Sequence, residues 1–139
     1  MKKVPIFLLI LILLCCSSCK INQIKNGQRE GLWIEKYDLE SVQHKSIGKY
    51  RKDEEIKTWK FFKNNKLYRK EIYKNGFCIM TFYHDNGKIA SQGKTKVVES
   101  PKERHWFYFG DWKFFDTNGK LHTIKKYTNG ELISETNVR

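Results

Sequence analysis

Residues Trp112 to Gly130, WKFFDTNGKLHTIKKYTNG, hold two turns and most of the chain's recurring pattern. Trp112, Phe114 and Phe115 belong to an aromatic strand that runs into Asp116-Thr117-Asn118-Gly119-Lys120. Asn and Gly tolerate the positive φ that closes a tight hairpin, so a second strand is expected from Leu121 to Tyr127, ended by Asn129-Gly130. A loop of Thr117-Asn118-Gly119, with Gly119 left-handed, sets Phe115 opposite Leu121 and Trp112 opposite Ile124, apolar against apolar. A two-residue Asn-Gly loop would instead pair Asp116 with Leu121, so the longer loop is the better reading.

The same block recurs upstream. Trp59-Lys60-Phe61-Phe62 leads through Asn64-Asn65 to Leu67 and then to Tyr73-Lys74-Asn75-Gly76. Phe82-Tyr83-His84-Asp85-Asn86-Gly87-Lys88-Ile89 repeats the strand-turn-strand half, and a worn first copy runs from Gly31-Leu32-Trp33 to Tyr37. Phe61 and Phe82 are 21 residues apart, Phe82 and Phe114 are 32 apart, so an insertion separates the last copies. A motif recurring near twenty residues marks an array whose units cannot bury their apolar faces alone.

This pattern, W-x-(F/Y)-(F/Y)-x-x-N-G-K-(L/I) followed by a polar strand and Y-x-N-G, resembles the MORN repeat variant, found in bacterial proteins often labelled YwqK-type antitoxins. The resemblance covers roughly residues 27 to 133. It implies a β-hairpin repeat fold and a binding or scaffolding role, and it brings no catalytic residues. The chain departs from the pattern where Glu35-Lys36 replace the aromatic pair and where Asn64-Asn65 lack the turn glycine. The expected architecture is all-β, an antiparallel β-hairpin repeat meander over residues 31–139. Trp33, Trp59, Trp112 and the aromatic pairs Phe61-Phe62, Phe82-Tyr83 and Phe114-Phe115 should share one seam, with Gly76, Gly87, Gly119 and Gly130 at the rims and Tyr127 closing the last unit.

The chain opens on Lys2-Lys3 and an apolar run from Ile6 to Cys16, too short for a bilayer that needs about twenty residues. Residues 1–18 therefore read as a secretion signal. Cys16-Ser17-Ser18-Cys19 resembles a lipobox, with Cys19 lipidated and residues 19–30 serving as a tether. An ordinary cleaved signal with incidental cysteines is the competing reading. Lys20 is not acidic, so the inner-membrane retention signal of many lipoproteins is missing, which favours the periplasmic side of the outer membrane.

The formal net charge is +12, and it falls to about +10 once Lys2 and Lys3 leave with the signal. Nucleic acid is not the expected partner outside the cytoplasm. Charges alternate with apolar groups in Tyr68-Arg69-Lys70-Glu71-Ile72-Tyr73-Lys74, the pattern of a half-buried sheet with a solvated outer face. An anionic envelope polymer or headgroup surface is the sharper reading of that charge. Cys78, inside Phe77-Cys78-Ile79-Met80, reads as a small buried hydrophobe.

The insertion, Thr95 to Phe109, contains Glu99-Ser100-Pro101-Lys102, a turn signal, and then four consecutive aromatics from Trp106. Arg104, Trp106 and Tyr108 are its candidate partner-facing residues, because Trp, Tyr and Arg dominate interface hot spots. An extra strand buried on both faces, or covering a sheet edge, is the alternative. His44, His84, His105 and His122 show no metal-ligand spacing, Asp53-Glu54-Glu55 reads as a solvated charge run, and no nucleophile motif is present. No enzyme activity, cofactor or metal is therefore expected. The reading is a lipid-anchored envelope binding protein, with neutralisation of an envelope-acting or imported toxin as the alternative. Basic charge argues against an inhibitor that mimics nucleic acid.

Overall fold

The computed structural model describes residues 20–99 and 104–138. Residues 1–19, with the expected signal and Cys19, residues 100–103, with all but Glu99 of the expected Glu99-Ser100-Pro101-Lys102 turn, and residue 139 lie outside them. Ten strands follow one another: β1 (Gln23–Lys25), β2 (Gln28–Leu39), β3 (Val42–Arg51), β4 (Glu54–Lys63), β5 (Lys66–Lys74), β6 (Phe77–Tyr83), β7 (Ile89–Glu99), β8 (Arg104–Phe115), β9 (Leu121–Thr128) and β10 (Glu131–Asn137). Each strand pairs antiparallel with the next, in sequence order, as one sheet. The fold is thus the all-β hairpin meander.

The turns explain the meander. Asn26-Gly27, Asn75-Gly76 and Asn129-Gly130 are two-residue loops with both residues at positive φ, the twist that suits a right-handed hairpin. Asn64-Asn65, Glu40-Ser41 and Lys52-Asp53 adopt the same left-handed conformation without glycine. Among the described residues two loops, β6–β7 and β8–β9, are longer. In the β8–β9 loop Asp116 N donates to Lys120 O at 2.9 Å and Gly119 N to Asp116 O at 2.9 Å, and Gly119 sits at φ 85°. Phe115 faces Leu121 across it.

The register beyond that loop differs from the sequence expectation. A bulge at His122 moves the pairing by one, so Trp112 faces Lys125 and Lys113 faces Ile124. The extra residue keeps Thr123, 6 % exposed, on the same face as Phe114 and Trp112. Residues 19–30 also differ from a plain tether: from Gln23 onward they carry β1 and the start of β2. The stretch from Asp38 to Lys57, where the repeat pattern fades, is hairpin as well, with a bulge where the β3–β4 register shifts between Ile47 and Lys49 and Lys57 takes φ 59°.

Cross-strand partners share a face and neighbours alternate. One face carries the row Gly48, Trp59, Glu71, Met80, Gly93 and Trp112, with Tyr50, Cys78, Thr95 and Thr123 beside it. The fully buried hydrophobic side chains, Tyr50, Trp59, Cys78 and Trp112, all lie here. Trp59 Nε1 donates to Lys49 O at 3.2 Å, and Trp112 Nε1 to Lys94 O at 3.0 Å. In both cases the acceptor follows the glycine that the indole covers. Met80 holds the corresponding place in the middle unit, which has no tryptophan.

Alternation corrects the expected seam. Phe61, Phe82 and Phe114 join the tryptophan face, whereas Phe62, Tyr83 and Phe115 point to the opposite one. Trp33, half-buried, meets Tyr50 edge-on at 5.5 Å, and Tyr50 meets Trp59 at 4.8 Å. The opposite face carries lysines between half-buried Ile and Phe side chains.

Candidate binding surface

The insertion is not a separate element. It lengthens the β7–β8 hairpin, so that β8 runs from Arg104 into Trp112 of the last unit. Alternation from Trp112 is interrupted at Gly110, whose φ is 68°. Tyr108, opposite Thr95, and Trp106, opposite Val97, still come out on the tryptophan face. As whole residues, Tyr108 is 43 % and Trp106 36 % exposed.

Three further residues turn this into a groove. Tyr73 meets Trp106 edge-on at 5.8 Å, and Tyr108 lies 4.4 Å from Trp112 and 5.2 Å from Tyr127. Between the Trp106–Tyr108 rim and the β5–β6 strands is a cavity of about 280 Å³, floored by Met80, Cys78 and Glu71. It is open, aromatic and mostly apolar, the surface character of interface hot spots.

The polar floor is closed on itself. Tyr73 Oη donates to Glu71 Oε2 at 2.7 Å, and Arg69 Nε stands 3.2 Å from Glu71 Oε1. The Arg69 N–H is not aimed at an acceptor, so that contact is electrostatic, and its guanidinium lies 4.0 Å from the Phe61 ring centre. Burial, then the Glu71 charge, pushes the Tyr73 hydroxyl well above the ordinary phenol range. The same two causes push the Cys78 thiol up to about 12. The thiol is protonated at neutral pH and poor as a nucleophile. Glu71, expected on a solvated face, is only 6 % exposed, whereas its neighbours Lys70 and Lys74 point to the opposite face.

Of the candidate residues, Trp106 and Tyr108 are brought together; Arg104 opens the same strand. Tyr73, Glu71 and Met80 were not singled out by sequence. A period-2 reading carried across from Trp59 would have put all three on the aromatic face. His84 Nε2 lies 3.0 Å from Phe115 O and His122 Nδ1 2.7 Å from Thr123 Oγ1, so both serve local structure. Among the described residues no group of three or more His, Cys, Asp or Glu is placed to hold a metal ion.

No curated protein and no solved structure matches the chain significantly. The family model described as the MORN repeat variant matches residues 79–96 and 110–129. The first segment is the β6–β7 hairpin and the second the β8–β9 hairpin. The part left out between them, 97–109, is the extension that carries Trp106 and Tyr108. The chain is therefore similar to the MORN repeat variant over two successive hairpin units, a repeat that suggests binding or scaffolding.

Proposed function

We propose that this protein is a lipid-anchored module of the cell envelope that holds a protein partner in the Trp106–Tyr108 groove and does no chemistry on it. The observation that carries the reading is the exposure of Trp106 and Tyr108 side by side on a strand extension that lies outside the matched repeats. Large rings fixed by strand geometry lose little conformational entropy on binding, and they rim a pocket deep enough to take an apolar side chain. The Cys16-Ser17-Ser18-Cys19 motif supports lipidation at Cys19, which would set β1 directly beside the membrane.

The test uses the full-length protein, extracted in detergent from envelope membranes, beside a Trp106→Ala/Tyr108→Ala variant. One protein retained through high salt by the native chain and lost with the variant is the expected result. Recovery of the same protein with both would sink the groove as its site. A Cys19→Ala variant should leave the membrane fraction, and its retention there would remove the lipid anchor. Were the retained protein a toxin, the same groove would serve neutralisation.

A further inference from the structure

The face opposite the groove sorts its charge in one direction. Lys36 stands directly across from Lys45, and Lys60 directly across from Lys70. Like charges opposed in a sheet destabilise it, so these pairs are a cost to the isolated chain. The acids Asp38, Glu131, Glu54 and Asp111 on this face lie near strand ends or opposite a base: Asp38 is next to last in β2, Glu131 opens β10, Glu54 faces Arg51 and Asp111 faces Lys126. The buried acid Glu71 and the paired acids Glu35 and Glu135 sit on the aromatic face, with Ser46, Arg69 and Lys125 as their partners.

Across the middle of this face runs a polar track at right angles to the strands. Lys60 pairs with Lys70, Lys70 with Thr81, Thr81 with Gln92, and Gln92 with Lys113. Lysines from β4, β5 and β8 thus stand in one row with the half-buried Gln92, whose amide donates at 3.1 Å to the hydroxyl of Thr81, itself 2 % exposed and buried within the row. Isoleucines close both ends, Ile47 beyond Lys60 and Ile124 beyond Lys113. At roughly 4.8 Å per strand the track is about 19 Å long.

We propose that this track binds a linear polyanion whose charges are phosphates, laid across the strands from β4 to β8. Its charged groups are all lysines, point charges suited to phosphate, without the arginine forks that read carboxylates in a fixed geometry. The shape selects a flexible chain over a bilayer: strands twist by about 20–25° per step, so Lys60 and Lys113 face directions roughly 80–100° apart. A flat surface cannot touch both, whereas a chain follows the twist. The track itself offers no ring to stack on a base, and the exposed His105 of this face lies away from it, near the start of β8. Its phenylalanines are half-buried, with Lys45 Nζ 5.8 Å from the Phe62 ring and Lys96 Nζ 5.9 Å from that of Phe109. Among the described residues the exposed tyrosines and tryptophan, Tyr37, Tyr108 and Trp106, are all on the other face.

The experiment titrates the full-length protein in non-ionic detergent with long-chain inorganic polyphosphate, across a range of salt. It then repeats the titration with Lys60→Gln/Lys70→Gln/Lys113→Gln. The expected result is tight binding by the native chain and a loss of at least about tenfold in the variant. The slope of log affinity against log salt should shrink by about 2, as expected for three lost phosphate contacts. A single Lys70→Gln change removes an opposed like charge, so its melting temperature should rise by about 1–4 °C while its polyphosphate affinity falls. That combination separates a lost contact from a damaged fold. Three results overturn the proposal: no polyphosphate binding, or binding untouched by the triple change; equal or tighter binding of polyglutamate or of single-stranded oligothymidine; or binding of anionic lipid vesicles in place of polyphosphate.

Discussion

The indole of Trp112 covers the bare Cα of Gly93 on the neighbouring strand, so closely that a Cβ built there would overlap the ring carbons. Trp59 covers Gly48 in the same way. Both indoles then donate to the carbonyl of the lysine that follows the glycine. A single-layer sheet has no second layer to bury its aromatics, and these two Gly–Trp contacts supply the depth.

Gly93→Ala should therefore cost about 1–3 kcal/mol, since the ring must move or the strands must part. Gly48→Ala should cost about as much, as neither glycine needs its own special φ. Urea unfolding measures both. An unchanged midpoint in either variant would show that the indole has room to yield.

Trp112→Ala removes a side chain that is 2 % exposed and should cost about 3–5 kcal/mol. Trp106→Ala, cut from a rim 36 % exposed, should cost under about 1 kcal/mol. Paired denaturation curves test the contrast. If Trp106→Ala unfolds the domain, the residue is core and the groove loses its standing as a surface.

Glu40 and Ser41 hold φ values of 48° and 65° in the β2–β3 turn, where Asn-Gly would sit without strain. Glu40→Asn with Ser41→Gly should stabilise the chain by about 0.5–1 kcal/mol. Thermal melting reads this directly, and a lowered melting temperature would contradict the turn geometry.

Alkaline pH should unfold the protein earlier than ordinary titration would. Burial raises Cys78 from 9.0 to about 12 and Tyr50 from 10.0 to about 12, and Tyr73 is raised further still. Groups raised in the folded state contribute stability that is complete below the unfolded pKa and lost as pH climbs toward the folded one. The window is thus from about pH 9 to about 12. The urea midpoint should fall through it, and Cys78 should resist a thiol reagent at pH 8 until urea is added. A flat midpoint together with a reactive native thiol would refute the burial.

Much of the hairpin order could be read from Asn-Gly pairs and aromatic doublets, because turn chemistry is local. The weak region, Asp38 to Lys57, was faint for the same reason: its turns use Glu40-Ser41 and Lys52-Asp53, which carry no turn signature yet adopt the same backbone. Register was harder. Bulges at His122, Tyr68 and Ala90 shift pairing by one, and they answer to side-chain packing across strands distant in sequence. Trp106 and Tyr108 stood out as a run of aromatics; the groove did not, since Tyr73, Glu71 and Met80 meet them only after β5, β6 and β7 have stacked in order. The polar track from Lys60 to Lys113 was invisible for that reason too, being spread over more than fifty residues of chain.

The most direct test of the binding account is site-specific photocrosslinking in intact cells, with a photoreactive residue at 106, at 108, or at 105. His105 pairs with Val98 and faces away from the groove. One discrete protein adduct from positions 106 and 108, weak or missing from 105, is the predicted result. Equal adducts from all three positions, or none from any, would contradict a partner held by the aromatic face.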